Sequence, residues 1–321
     1  MVKKIFSLLL RIGVSVILLF FLFKQVDIKN MWTIVRGVDK KLLALAIAVN
    51  FFNYLFCFFR WKKLLYALNL SIPKRRILIS FSGGIFFNLF LPSAIGGDLV
   101  RSLDLASFTK KPRQIVATVL LDRLSGFVAL SLLVAIALII GGSMVRTKAV
   151  LVAAGLIFGL LIAALLVLFN SFVYQKINAL LDSPTAGRIR ESIRNLHEEL
   201  HIFRNHKKVI IQNLLLSLLV QLIAPISTYC IALALGVHIK MIYLVVFLPI
   251  VGAITMLPIS LGGLGLRDAT TVFFFNQIGI GKDMAFTISL VGFAITILYG
   301  VLGGLLYVFT VHHRRLQPAS S

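Results

Sequence analysis

LPSAIGGDLVR, Leu91 to Arg101, and LPISLGGLGLR, Leu257 to Arg267, read almost alike. Laid on each other they share Leu-Pro, then Gly-Gly four residues after the proline, then Arg four residues after the second glycine. These five identities recur 166 residues apart. Each stretch follows a hydrophobic run too short or too interrupted for an ordinary spanning helix, and each contains what a helix tolerates poorly. Pro92 and Pro258 remove a backbone donor, while Gly96-Gly97 and Gly262-Gly263 loosen the backbone and let it approach a ligand closely. Each therefore reads as a break inside a membrane, with a half-helix starting near the glycines. Non-helical backbone at that depth persists only where protein buries it or where it lines a wet cavity, because lipid cannot satisfy its polar groups. Interrupted segments at corresponding places in two halves point to a transporter's binding site.

The surroundings agree with a bilayer. Of the 321 residues 59% are hydrophobic and 14% charged, and apolar runs long enough to cross a membrane recur along the chain. Lys3-Lys4 and the apolar run to Phe23 lack a small-residue cleavage site, so they read as a first spanning helix rather than a removable signal. The formal net charge of +22 comes from basic residues clustered between apolar runs. Such clusters face the cytoplasm and its anionic lipid, so nucleic-acid binding is not needed to explain them. Cys57 and Cys230 both lie in apolar runs and form no disulfide or metal pattern.

The fold class that follows is an all-α polytopic membrane protein with about eight membrane segments, two of them inverted re-entrant or broken helices. Full spans are expected at about 5–23, 42–59, 115–140, 149–169, 209–235 and 284–310, and broken segments at about 77–91 and 241–257. Three crossings separate the two broken stretches, and an odd number sends the second in from the opposite face. The chain then forms one transmembrane domain, 1–321, with inverted halves at about 1–145 and 146–312. It is multi-pass in the cell (inner) membrane with both termini cytoplasmic. The basic link 24–41 sits awkwardly with that topology, since it places five basic residues outside. A hydrophilic insert, 171–208, opens its helix at Ser183-Pro184 and sets Ile189, Ile193, Leu196, Leu200 and Phe203 on one face among arginines. That is the pattern of a cytoplasmic helix on an anionic surface.

Charged side chains inside a bilayer are costly and are functional candidates by default. Asp98, Arg101 and Asp104 follow the first glycine pair, Arg267 and Asp268 follow the second, and Asp122-Arg123 lies early in the 115–140 span. They suggest a polar cavity in which Arg101, Arg123 and Arg267 contact a phosphate, with half-helix N-termini adding their positive dipole ends. The carboxylates would hold the arginines in place or take up protons. The blander alternative is that Asp122 and Arg123 pair with Arg101 and Asp104 merely to pin helices together. Asn50, Asn53, Asn88 and Gln221 read chiefly as interhelical hydrogen-bond partners.

One motif points to another class. His197-Glu198-Glu199-Leu200-His201 matches H-E-x-x-H, in which two histidines one turn apart can hold zinc while the glutamate activates water. It sits in the charged insert without an obvious third ligand, so no metal or other cofactor is expected. Zinc retained on purification and lost in His197→Ala would argue for an enzyme.

The Pro-x-x-x-Gly-Gly stretch with Arg101, the pair Asp122-Arg123 and the run from Leu257 to Asp268 together resemble the flippase-like family that includes the membrane region of lysylphosphatidylglycerol synthase, the multiple peptide resistance factor. The likeness extends over most of the chain. It implies a bundle with re-entrant helices that moves lipids between leaflets. Three departures stand out: Asp268 where the family more often has Glu, Leu261 where Pro is common, and Gly126 at a place often acidic. No soluble aminoacyl-transferase region follows the last span, so synthase activity is not expected. The resulting expectation is flipping of an anionic phospholipid or lipid-linked head group. A membrane-embedded transferase or zinc hydrolase acting on lipid-linked substrates is the alternative, and a lipid-modifying enzyme or a second copy of the chain are candidate partners.

Overall fold

The computed structural model describes residues 2–70, 72–91, 96–169, 206–256, 260 and 262–316. All regular structure among them is helical. In chain order the helices are α1 (Val2–Gln25), α2 (Ile28–Arg36), α3 (Lys40–Ala67), α4 (Lys74–Asn88), α5 (Gly96–Thr109), α6 (Pro112–Gly141), α7 (Lys148–Phe169), α8 (Lys207–Ala234), α9 (Met241–Thr255), α10 (Leu266–Asn276) and α11 (Lys282–Leu316). Five of these, α3, α6, α7, α8 and α11, are long and apolar enough to cross a bilayer. With 24 residues α1 is long enough for a sixth crossing, and its Gly13–Gln25 part is apolar; α4–α5 and α9–α10 supply the two broken segments.

Helix α11 works as a ruler for the rest. At its start Lys282 donates to Gln25 Oε1 at 2.9 Å, and the Asp283 carboxylate accepts from Asn30 Nδ2 at 2.8 Å, so the end of α1 and the start of α2 lie there. Two to three turns on, Ser289 and Phe293 meet Arg267 of α10. Further along, Gly300 faces Leu89, Gly303 faces the backbone of Ser82, Gly304 faces Phe86 and Tyr307 lies on Gly83, all in or at the end of α4. Phe293 and Tyr307 are about 21 Å apart at 1.5 Å per residue. The α9–α10 hairpin therefore enters from the side where α11 begins, and the α4–α5 hairpin from the side where it ends. The two re-entrant segments are inverted. Because Gln25 and Lys282 share one side, the opposite ends of α1 and α11 share the other, and both helical termini lie on one face of the membrane.

Close backbone approach makes these hairpins possible. A Cβ on Gly97 would run into the carbonyl oxygen of Gly84, and one on Gly303 would lie 2.8 Å from the Ser82 carbonyl oxygen. Small residues at such crossings replace the hydrophobic drive that lipid removes. The two breaks are built differently. Gly96 and Gly97 already belong to the first turn of α5, where their value is closeness to α4. Gly262, Gly263 and Gly265 instead have φ of 56°, 81° and 76°, a left-handed run that turns the chain before α10. Pro92 and Pro258 lie outside the described residues, as do His197, Glu198, His201 and the insert up to residue 205.

Two sequence expectations change. The second span does not stop at residue 59: α3 continues to Ala67, because Trp61, Leu64 and Leu65 are fully or almost fully buried against Ile77, Leu105 and Ile115. Within the link 24–41 lies α2, with Asp27 accepting from the amides of Lys29 and Asn30 as its N-cap. The larger apolar core joins α6 to α11 around Phe247, Phe274, Phe275 and Phe286. Along the opposite flank α3 runs antiparallel to α8. Asp39 N–H donates to Ala234 O at one end, Asn50 pairs with Ser227 in the middle, and Asn213 donates to Arg60 O near the other.

Candidate functional site

Three helices bring five charged side chains into one chain of contacts. Asp98 and Arg101 stand three residues apart on α5, so they share a face, and Arg101 Nη2 lies 2.9 Å from Asp98 Oδ1. The same nitrogen donates to Asp122 Oδ2 of α6 at 3.0 Å. Arg60 of α3 donates from Nε to the other oxygen of Asp122 at 2.6 Å. Arg123 closes the series by pairing its Nε with Asp98 Oδ2. The order is thus Arg60, Asp122, Arg101, Asp98, Arg123, with each carboxylate shared by two guanidiniums.

Burial makes this arrangement informative. Asp122 is 2% exposed, Arg101 4%, Asp98 6% and Arg60 7%, whereas the Arg123 side chain is 35% exposed. Buried charges survive when paired and hydrogen-bonded, and removing one partner strands the other. Among the described residues three guanidiniums stand against two carboxylates, which leaves one positive charge in excess. Around the cluster is a cavity of about 260 Å³ whose wall includes Asn53, Tyr54 and Cys57 of α3, Phe81 and Asn88 of α4, and Gly97. Arg101 lies over the Trp61 ring at 4.4 Å and the Phe81 ring at 5.8 Å, contacts that hold its plane. Its Nε is buried without a hydrogen-bond partner among the described residues.

A polar stripe on α8 supports the cluster. Asn213, Ser217 and Gln221 recur every four residues and so share a face. Asn213 Nδ2 donates to Arg60 O at 3.1 Å, Ser217 Oγ accepts from Arg60 Nη1 at 3.1 Å, and Gln221 Nε2 donates to Gly126 O at 3.0 Å. A Cβ on Gly126 would lie 3.3 Å from Arg60 Nη1. The lack of a side chain at this position leaves the space that the Arg60 guanidinium uses.

Of the residues singled out from sequence, Asp98, Arg101, Asp122, Arg123 and Gly97 come together at this cavity, and Gly96 opens the same helix beside them. Asp104 does not join them. It lies nearly two turns beyond Asp98 and pairs with Arg76 at the start of α4, Nη2 to Oδ1 at 2.5 Å. Arg267 and Asp268 form a separate group. Asp268 is fully buried, accepts from Gly265 N–H at 3.0 Å as the cap of α10, and accepts from Ser289 Oγ at 2.6 Å. Arg267 Nη2 binds Asp268 Oδ1 at 2.6 Å, and its guanidinium lies 4.5 Å over the Phe293 ring. Gly262 nonetheless reaches the first hairpin: a Cβ on it would be 3.6 Å from Leu89 O and 3.8 Å from Asn88 O. Asn88 Oδ1 in turn accepts from Gly97 N–H at 3.4 Å.

Arg60 was not among the residues singled out from sequence. Arg60-Trp61-Lys62-Lys63 reads as the basic end of a span, yet Asn53, Cys57 and Arg60 fall at i, i+4 and i+7, one polar face that continues into the bundle. Among the described residues no group of three or more His, Cys, Asp or Glu could hold a metal ion.

Comparison with known proteins bears on the whole chain. The family model described as "Lysylphosphatidylglycerol synthase TM region" matches residues 8–304. The chain is 23% identical over 337 residues to the UPF0104 membrane protein PH1989 of Pyrococcus horikoshii, covering 98% of this chain and 99% of that protein. It is also 23% identical over 282 residues to a UPF0104 membrane protein of Methanothermobacter thermautotrophicus, covering 80% and 79%.

Proposed function

We propose a lipid-carrying role for this chain, which belongs to the lysylphosphatidylglycerol synthase TM region family: its arginine-rich cavity binds an anionic phospholipid or lipid-linked head group and passes it between leaflets. The observation that carries this reading is the Arg60–Asp122–Arg101–Asp98–Arg123 series around a cavity in the bundle. The one positive charge in excess among the described residues complements a phosphodiester, and Arg101 Nε, without a partner among them, offers a donor. Arg123, the most exposed member of the series, is suited to meet a head group first.

The two broken segments meet at Asn88, Leu89 and Gly262. A head group crossing the membrane has to pass this contact, so alternating access consists of opening it on one side while the other is closed. Arg267, held by Asp268 beyond the contact, is a second place where a phosphate could be received. Basic residues gather on the side of the termini, which supports that side being cytoplasmic in a cell membrane.

The test is native mass spectrometry of protein extracted in mild detergent. Retention of an anionic lipid by the parent chain and its loss in Arg123→Gln is the expected result. Retention of neutral lipid alone, or equal retention in the variant, would overturn the assignment.

A further inference from the structure

On the side away from the termini, the segment around α2 carries Lys24, Lys29, Arg36, Lys40 and Lys41, all exposed. This runs against the usual bias of basic residues toward the cytoplasm. The nearby carboxylates, Asp27, Asp39 and Asp283, offset them only in part and pair with none of them. Asp27 and Asp39 are turned onto backbone amides as N-caps of α2 and α3, Asp27 to Lys29 N at 2.8 Å and Asp39 to Lys41 N at 2.8 Å. Asp283 accepts from Asn30 Nδ2 and from the Asp27 amide, which fastens the elbow to α11. Among the described residues none of the five cations has an ion-pair partner.

The shape of α2 completes the pattern. Met31 is buried and, with Ile34, seats the helix on the apolar core. Ile28 and Trp32, one turn apart, are left 62% and 59% exposed on the flank. Lys29 and Arg36 occupy the neighbouring polar arc, and the Arg36 guanidinium lies 5.3 Å over the Trp32 ring. An exposed indole beside an aliphatic side chain, edged by cations, is the arrangement of a helix lying in the head-group layer.

We propose that this elbow is a docking surface for anionic lipid head groups in the leaflet facing away from the termini. Ile28 and Trp32 enter the upper acyl region, and Lys24, Lys29, Arg36, Lys40 and Lys41 meet phosphates. The proposal depends on the membrane-crossing fold and not on lipid flipping.

The chain has two tryptophans, and Trp61 is fully buried, so contact quenching by brominated acyl chains reports on Trp32. Protein is reconstituted in phosphatidylcholine vesicles containing a small fraction of either brominated phosphatidylglycerol or brominated phosphatidylcholine. The expected result is enrichment of the anionic quencher at Trp32 of about fivefold, the effect of one engaged basic residue near the surface. The preference falls with added salt and is reduced in Lys29→Gln/Arg36→Gln, and all quenching is lost in Trp32→Phe. Equal quenching by the two brominated lipids would overturn the proposal. So would an absence of quenching by either, as when a protein partner or water covers the indole.

Discussion

Gly262 stands against the carbonyl of Leu89: a Cβ at Gly262 would lie 3.6 Å from that oxygen. The two residues belong to hairpins that enter from opposite sides, so the contact joins the two broken segments. It also sits beside Asn88, which borders the charged cavity.

Gly262→Val places a β-branched residue at φ 56°, where such residues are outliers. The expected cost is about 1–3 kcal/mol of stability, read as a lower thermal midpoint in detergent. Gly236→Asn, also at positive φ but with open space around it, is expected to change the midpoint little.

Gly97→Ala forces α5 away from the Gly84 carbonyl, and overpacking of this kind costs about 1–3 kcal/mol. Gly155→Ala, in a helix with nothing within 4 Å of the added methyl, is expected to be neutral or stabilising. Thermal melts of the two variants under one condition separate crowding from a general effect of glycine replacement.

Asp122→Asn removes the charge shared by Arg60 and Arg101 while keeping the side chain's shape. Breaking a buried ion pair from one side costs about 3–5 kcal/mol, so this variant is expected to be the least stable of the cavity series. An unchanged melting midpoint would mean that the pairing contributes little.

Arg60→Gln leaves Asp122 paired with Arg101 and brings the cavity to charge balance. The expected result is about a tenfold or greater loss of affinity for an anionic lipid, the effect of a charged hydrogen bond, measured by lipid titration in detergent. Arg60→Lys, which keeps the charge but not the planar fork, is expected to fall between the two.

Much of the architecture was legible because it follows from local chemistry. The recurrence of Leu-Pro and Gly-Gly at one spacing marked both hairpins, and the number of apolar runs between them implied their inversion. What could not be read was which helix faces met. Asp104 sits on the same short helix as Asp98 and Arg101, yet it faces Arg76 on α4 rather than the cavity. Arg267 matches Arg101 in the repeat, but Asp268 holds it locally and Ser289 and Phe293 receive it. Arg60 was hidden by its neighbours Lys62 and Lys63, which resemble the end of a span. The buried Leu64 and Leu65 that carry the helix onward reveal their packing only in three dimensions.

The most direct measurement is leaflet exchange of head-group-labelled lipids in proteoliposomes, comparing the parent chain with Arg101→Gln. This substitution leaves Asp122 with Arg60 and Asp98 with Arg123, so both carboxylates keep a partner. The expected outcome is protein-dependent exchange of anionic but not zwitterionic lipid, reduced about tenfold or more in the variant while its melting midpoint stays near that of the parent. Equal exchange by the two proteins, or no acceleration for any anionic lipid, would contradict a lipid path through this cavity.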